Sequence, residues 1–594
     1  MIRLQDWSEI YMTRRECNII LFSITLCWAS SYIFIKDLPE NFSSFAYLTM
    51  TAGIAGLILL LVFHRAIKGI DKKTLFRALI LAALIAGNML LEKAGLNYIP
   101  SSTASFLASL NIVIVPLIML ILKKFPTRNN VAGIFVIMAG LLVSNGISIS
   151  EGSITGLLCM LGACFLMSLY TVMAADFTKK SNPLVLSVLQ ICFSAVFGFV
   201  LWCVEDPATF IHIEWSKRML SSIFILAFFS KAYAYIMLMY AEKYADAISV
   251  TIIASTEPVV TLTLALIIPN AQGATESFSL RTLIGALVIA LGAVVAGSDF
   301  LSPKNNEKTD ETTEIIEERK KVQGVENKER KERTGELSGY TEKDRGRIGI
   351  RLKQILLTMV PFAILGAAFK VMVLIEGLTE VRPANAIPMV SGYLFGPFGA
   401  LGCALGNLIA DCFGTLNMTS LLGVVGNFMA AYIPYRIWHA VSKDKPNVHT
   451  CKNILIYIWS AYVGALVCAW ILGFGLELFF SLWIDTIYKY VFLNNFGFSV
   501  ALGLPVFILA TSDSIHLEIH EPKITKNPLS LKAGRWLLPV LVILTIMLTG
   551  NLIGVYMGYH LSTNPIMGIM SIITVVCLIC MFILPVKKEG MINE

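Results

Sequence analysis

Long apolar stretches recur along nearly the whole chain, and each is long enough to cross the roughly 30 Å hydrocarbon core of a bilayer as a helix. Only 15% of the 594 residues are charged, whereas a soluble chain carries about 25%. The sequence therefore predicts an all-α polytopic membrane protein with the lipid bilayer around it. The net charge of +7 comes from lysines and arginines in short loops, so it indicates membrane orientation and does not predict nucleic-acid binding.

A strongly charged segment divides the apolar sequence into two blocks. Residues 301–350 offer no apolar face that a fold could bury, so we expect a solvated cytoplasmic linker between domains at 1–300 and 351–594. The candidate spans of the first block are 17–35, 43–64, 76–96, 101–122, 130–147, 154–175, 183–204, 219–240, 244–267 and 281–298. Those of the second block are 353–375, 384–395, 397–413, 418–437, 453–475, 496–513, 535–558 and 563–585, and 477–494 is expected at the membrane interface. Lysines and arginines fall mainly in alternate loops, which predicts a multi-pass protein of the cell membrane with both termini in the cytoplasm.

The first block repeats itself. The apolar stretch Tyr244–Leu266 carries Glu257 and Pro258 in its middle, and a weaker copy, Tyr98–Met119, has Pro116 where Pro258 stands. In both copies the following span holds two glycines seven residues apart: Gly133 and Gly140, then Gly285 and Gly292. Five spans per copy is an odd number, so the second copy enters the membrane from the opposite side. This predicts a ten-helix inverted repeat (5+5), with a binding site near the membrane midplane.

Polar groups inside apolar stretches are costly and therefore mark candidate sites. Those of the first block are Trp28, Asn88, Asn111, Lys231, Tyr235 and Glu257. Plainer interpretations stand beside this one: Lys231 and Glu257 form a structural ion pair, the asparagines bond between helices, and Trp28 packs or anchors at the interface. Glu92 and Lys93, at the end of the third span, are expected to reach the interface, with a role in the site as the alternative.

The first block resembles the EamA family of the drug/metabolite transporter superfamily over about 17–298. The residues that carry the resemblance are Trp28-Ala-Ser-Ser, Ala94-Gly-Leu-Asn-Tyr98, Glu257-Pro258 and the late pair Gly285 and Gly292. The resemblance implies a small-molecule carrier whose central cavity is built from the first, third and fourth spans of each repeat. The chain departs from the family at Thr51 and Ala52, where an arginine is common, and at Val115-Pro116, which lacks the acid of the second copy.

The second block contains an unusual polar hairpin between residues 380 and 414. It brings Arg382, Asn385, Asn407 and Asp411 around Gly396-Pro397, and polar groups at that depth must line protein or water. The segments Arg382-Pro-Ala-Asn-Ala386 and Gly396–Asp411 resemble the substrate-binding S component of energy-coupling-factor (ECF) vitamin uptake systems. This resemblance implies a second solute-binding domain, and ECF transmembrane and ATPase subunits as candidate partners.

The sequence contains no nucleotide-binding motif and no nucleophile constellation, so we expect neither an enzyme nor a cofactor. His516-x-Glu-x-His520 has two metal-ligand types one turn apart but no third ligand, so no metal is expected either. The predicted function is a secondary transporter of a small metabolite that works by alternating access and carries a second membrane solute-binding domain. The alternative is a membrane solute-binding or sensing subunit of a larger uptake complex. The expected partners are a small-molecule substrate and lipid, with a homodimer as a further candidate.

Overall fold

The protein is described here by a computed structural model. It describes residues 12–36, 38–39, 42–64, 67, 70–99, 101–123, 126–145, 154–205, 213, 215–267, 280–297, 340–370, 373–375, 379–414, 416–442, 444–511, 519 and 534–585. Within these residues, eleven helices are long and apolar enough to cross a membrane. The chain is a multi-pass membrane protein. His516 and His520 lie outside the described residues.

The helices of the first block follow the predicted spans closely. They are α1 (Arg14–Lys36), α2 (Ser44–Phe63), α3 (Lys72–Leu96), α4 (Ser101–Ala108), α5 (Asn111–Ile121), α6 (Arg128–Asn145), α7 (Ile154–Phe177), α8 (Pro183–Glu205), α9 (Lys217–Ile225), α10 (Ala234–Tyr244), α11 (Ala247–Ala254), α12 (Glu257–Ile267) and α13 (Leu280–Gly297). A π-helical segment, Leu226–Tyr233, joins α9 to α10 within one continuous span.

Two of the spans are broken at equivalent points of the two repeats. The first break separates α4 from α5, which begins at Asn111, and the second separates α11 from α12, which begins at Glu257. The predicted register, which aligned Pro116 with Pro258, is therefore wrong by four residues. Pro116 lies inside α5, whereas Pro258 is the second residue of α12, where a proline costs no helical hydrogen bond. Asn111, not Val115, is the counterpart of Glu257.

The glycines seven residues apart allow the last helices of the two repeats, α6 and α13, to pack closely. A Cβ atom on Gly133 would lie 2.3 Å from the Cβ of Ala296, and one on Gly140 would lie 2.7 Å from the backbone nitrogen of Ile289. A Cβ on Gly292 would lie 2.6 Å from a side-chain carbon of Ile137. Small residues at such positions let helix backbones approach in a membrane, so these glycines join the two repeats.

The second block is helical apart from one short hairpin. Its helices are α14 (Tyr340–Ala368), α15 (Ala386–Phe395), α16 (Pro397–Asp411), α17 (Ser420–Val441), α18 (Cys451–Phe480), α19 (Asp485–Phe498), α20 (Leu504–Ala510), α21 (Leu537–Tyr556) and α22 (Pro565–Ile583), with a π-helical segment at Ser499–Gly503. Strands β1 (Val373–Ile375) and β2 (Thr379–Glu380) pair antiparallel. Gly396 turns the chain between α15 and α16 with φ 54° and ψ −129°, a conformation that glycine adopts without strain.

Two predicted boundaries of the second block differ from the structure. Helix α14 begins at Tyr340, ten residues inside the expected linker. The run Asp485–Ala510 is one spanning-length helical stretch, although 477–494 was expected at the interface. An ion pair one turn apart, Asp485 with Lys489 at 2.7 Å, lies in the first turns of α19, so charges that look interfacial in the sequence belong to a helix start.

The two blocks touch each other along one side. The Ser221 hydroxyl of α9 donates to the Ala368 carbonyl at the end of α14, over 2.7 Å. The rings of Phe229 and Phe369 meet edge to face, with centroids 5.8 Å apart. Helix α1 contacts α20, and Glu16 at its start lies 2.7 Å from Nδ1 of His449.

Candidate functional site

The first cavity lies in the interior of the first block and includes about 580 Å³ of space, part of it open to solvent. Its walls come from six spans. The lining residues are Trp28, Ser31, Tyr32, Asn88, Glu92, Ala108, Asn111, Met160, Ala163, Cys164, Met167, Ser230, Lys231, Tyr235, Ala254 and Glu257. All six residues selected from the sequence of this block are among them.

The walls are equivalent in the two repeats. The first repeat contributes its first span (α1), its third (α3) and its broken fourth (α4 and α5). The second repeat contributes α7, the stretch from the π-helical segment to α10, and the broken pair α11 and α12. These are the first, third and fourth spans of each copy, which the EamA resemblance implies.

Two carboxylic acids and one amine of the described residues face the first cavity. Lys231 is 3% exposed, and the π-helical segment carries it. Glu92 is close enough to be attracted by Lys231, and it repels Glu257. Glu257 is the first residue of α12, where the partial positive charge of the helix N-terminus favours a carboxylate. With all three groups ionised the cavity has a net charge of −1.

Lys231 does not form the ion pair with Glu257 that the sequence suggested. Among the described residues, the Lys231 ammonium has Glu92 as its carboxylate neighbour and lies 5.5 Å from the centre of the Tyr47 ring. Tyr32 lies beside Glu257. Glu92, for which the interface was the first expectation and a site role the alternative, lines the cavity. Lys93, expected at the interface as well, is buried and donates to Asn97 over 2.9 Å.

Aromatic and amide groups complete the walls of the first cavity. The Trp28 indole donates to the Ser230 carbonyl over 3.3 Å, and its ring centroid lies 5.8 Å from that of Tyr235. Asn88 donates to the Ala163 carbonyl of α7 over 3.1 Å, which is the interhelical bond expected as its plainer role. Within the described residues the buried Oδ1 of Asn111 has no hydrogen-bond partner, so it is a free acceptor at the cavity wall.

A second cavity lies in the second block and includes about 620 Å³, again partly open. Its lining is rich in amides: Arg382, Asn385, Asp411, Thr419, Ser420, Gly423, Asn427, Cys468, Leu472, Leu476, Ile487, Val491, Asn494 and Asn495. Three of the four residues selected from the sequence are in this lining. The fourth, Asn407, is buried directly behind it.

Four charged side chains, two buried anions and two partly buried cations, form one network beside the second cavity. Lys370 Nζ lies 2.8 Å from Glu380 Oε1 and 2.7 Å from Asp411 Oδ1. Arg382 Nη2 lies 2.8 Å from the same Glu380 oxygen and 3.4 Å from Asp411 Oδ1. Asn407 accepts from Arg382 Nη1 over 2.8 Å and donates to Asp411 Oδ2 over 3.2 Å. The two cations and two anions named here balance one another in charge.

The network lies at the open end of the α15–α16 hairpin and not around Gly396-Pro397, as the sequence analysis had placed it. Arg382 and Asn385 precede α15, and Asn407 and Asp411 end α16. Because the two helices run antiparallel, these ends meet while the glycine turn lies at the opposite end. Lys370 and Glu380 were not among the predicted site residues. The predicted span 353–375 ran through the position of Lys370, whereas in the structure α14 ends at Ala368 and a β-hairpin follows.

The comparisons with known proteins concern the first block. Residues 16–146 and 154–298 each match the model of the EamA-like transporter family. Each of the two repeats therefore matches the family model separately. An uncharacterized transporter of Archaeoglobus fulgidus is 24% identical over 250 residues, which are 41% of this chain and 76% of that protein. Together they support a membrane transporter.

One solved structure, described as "Crystal structure of protein", aligns with 48% of this chain and 97% of its own at 17% identity. Its TM-score is 0.40, and a likeness of that strength carries no argument about fold or function.

Proposed function

We propose that the first block is a secondary transporter that moves a small metabolite across the cell membrane by alternating access, and that it is not an enzyme. The observation that carries the proposal is the first cavity, to which both inverted repeats contribute the same three spans. In such a repeat, rocking one half against the other exposes a central site to each side in turn. The broken helices support this, because each presents a helix start, at Asn111 and at Glu257, to the solute.

The chemistry of the first cavity favours a solute that is cationic or rich in hydrogen-bond donors. Two carboxyl groups, Glu92 and Glu257, face one ammonium group, Lys231, and Asn111 offers a free acceptor. Trp28 and Tyr235 provide aromatic faces, to which cations and flat rings both bind.

The second block is proposed to be a fused solute-binding domain. The charges beside the second cavity neutralise one another, so they leave no net charge for a solute to compensate. Within the described residues, Asn385 Oδ1 and Asn427 Oδ1 are buried and have no hydrogen-bond partner. An uncharged solute with amide or ring N–H donors fits this surface. Pairing with ECF transmembrane and ATPase subunits stays a prediction, and so does a homodimer. The location in the cell membrane and the cytoplasmic position of both termini are predictions as well.

The test is solute flux through the full chain in proteoliposomes. A thermal-shift screen over vitamins, nucleobases and amino acids identifies ligands, and radiolabelled uptake then follows with Glu92→Gln and Lys231→Met in the first cavity and Asn427→Leu in the second. We expect both first-cavity variants to lose uptake, because they alter the charged wall that the solute meets. Uptake that survives in both, or that requires added ATPase subunits, would instead favour the solute-binding subunit of a larger uptake complex.

A further inference from the structure

One buried carboxylic acid of the first block lies outside the first cavity. Glu242 is on α10, two residues before its end, and it is 0% exposed. Neither of its carboxyl oxygens has a hydrogen-bond partner among the described residues. An ionised carboxylate that is buried without a hydrogen-bond donor or a cation would lose its hydration without a compensating interaction. The group therefore holds a proton in this conformation.

Among the described residues, no hydrogen-bond donor or cation contacts the carboxyl group of Glu242. Two tyrosines face it, Tyr170 of α7 and Tyr235 of α10. On the elements packed against α10, the charged groups toward the same end of the bundle include Arg15 and Glu16 on α1, Asp176 on α7 and Lys243 on α10, and Arg15 is exposed. In the described part of the chain none of them pairs with Glu242: Glu16 pairs with His449 and Asp176 with Lys180, and the Lys243 ammonium lies over the Tyr244 ring.

The position of Glu242 connects it to the first cavity. Tyr235 lines the cavity, and Glu242 follows it by seven residues, which places both on one face of α10 about 10 Å apart. Tyr170 meets Tyr235 edge to face, with ring centroids 5.9 Å apart, and its hydroxyl donates to Gln190 over 3.4 Å. Tyr235, with the Tyr170 ring packed on it, therefore connects the helix face that carries the buried carboxyl to the wall of the first cavity.

We propose that Glu242 is a proton-binding site that drives the transport cycle, an inference that rests on the proposed transporter function. When the helices move and water reaches the end of α10, the carboxyl releases its proton to that water and becomes a carboxylate. It binds a proton again from water that enters through the first cavity when the protein opens to the other side, so that one proton crosses the membrane in each cycle. The coupling ion is then a proton, and solute binding senses it through Tyr235.

A purely structural role predicts something different. A carboxyl group that serves only to fill space would stay protonated throughout and would be replaceable by glutamine without any titratable signal. The proposal requires that the proton exchanges with bulk water, and this can be measured without knowing the solute.

The experiment is infrared difference spectroscopy on the full chain in liposomes, with deuterium oxide and pH as the probes. The C=O stretch of a protonated carboxyl group free of hydrogen bonds is separate from the amide bands. We expect one such band at neutral pH that shifts in deuterium oxide, disappears reversibly at alkaline pH and is lost in Glu242→Gln. The matched control, Asp176→Asn, changes an exposed carboxylate on the neighbouring helix and should leave the band unchanged.

Three outcomes would overturn the proposal: no such band, a band that persists in Glu242→Gln, or a band that neither shifts in deuterium oxide nor titrates. Circular dichroism and size-exclusion profiles of each variant establish that it is folded. Glu242→Asp keeps the acid, so its infrared band should return at a shifted position. This variant therefore distinguishes a lost proton site from a packing defect. Failure of these measurements would leave transport by the first cavity unaffected, whereas failure of the flux assay would leave the infrared result standing.

Discussion

Replacing Asp411 by asparagine should be among the most destabilising single changes in the second block. One oxygen of Asp411 lies 2.7 Å from the Lys370 ammonium and 3.4 Å from the Arg382 guanidinium, and the other accepts from Asn407. Asparagine keeps the shape but removes the negative charge, so the neutral network becomes a buried cluster with one excess positive charge. Breaking a buried pair in this way costs about 3–5 kcal/mol of the free energy of unfolding.

The control for Asp411→Asn is Asp176→Asn. Asp176 pairs with Lys180 over a similar distance, 2.5 Å, but the two side chains are 48% and 53% exposed. An exposed pair of this kind contributes about 0–1 kcal/mol. The assay is reversible unfolding of the full chain in mixed micelles of a mild detergent and dodecyl sulfate, followed by tryptophan fluorescence and circular dichroism.

A double variant makes the electrostatic argument sharper. Lys370→Met together with Asp411→Asn removes one charge of each sign and restores neutrality, so it should be more stable than Asp411→Asn alone. If the two aspartate variants lose equal stability, or if the double variant is the weaker protein, charge balance does not hold this site together.

The remaining predictions concern both blocks. Gly140→Ala should destabilise the chain by about 1–3 kcal/mol in the same unfolding assay, because the new Cβ meets backbone at 2.7 Å. Gly53→Ala is the control and should be neutral or slightly stabilising, because a Cβ there meets no atom within 4 Å. Equal effects of the two changes would contradict the packing of α6 on α13. Glu257→Gln should fold to wild-type yield by size-exclusion chromatography yet lose uptake of a cationic solute, since Glu257 forms no ion pair with the residues that the structure describes. A loss of folded protein would favour a structural role. Phe229→Ala should lower the melting temperature, because removing a packed phenylalanine ring costs about 3–5 kcal/mol of the free energy of unfolding. An unchanged melting temperature would mean that the contact of Phe229 with Phe369 does not stabilise the protein.

Much of the first block was predictable because its signals are local. Apolar length fixes where helices lie, and the odd number of spans per copy fixes the inversion. The cavity residues followed from one rule, that a polar group inside an apolar stretch needs a partner or water. Glu92 was first expected at the interface, because it lies near the end of a predicted span. Only the packing of α3 against α7 places it inside the first cavity.

The second block was harder to predict because its site depends on contacts between distant segments. The charges of Lys370 and Glu380 are separated by ten residues and a β-hairpin, and no periodicity signals that turn. The proline register of the repeats failed for a related reason. Proline is tolerated both at a helix start and, in a membrane, inside a helix, so Pro116 and Pro258 look equivalent in sequence while they occupy different positions.

The π-helical segment Leu226–Tyr233 has a mechanical consequence. It holds Lys231 at the wall of the first cavity, and two residues earlier it holds Phe229 against Phe369. Phe369 is followed directly by Lys370, whose ammonium anchors the charges of the second cavity. A wide turn of this kind can tighten to ordinary α-helical hydrogen bonding only by rotating its side chains together. The segment therefore links the first cavity to the contact between the blocks, because a rotation that moves the Lys231 ammonium away from the cavity also moves the Phe229 ring against Phe369.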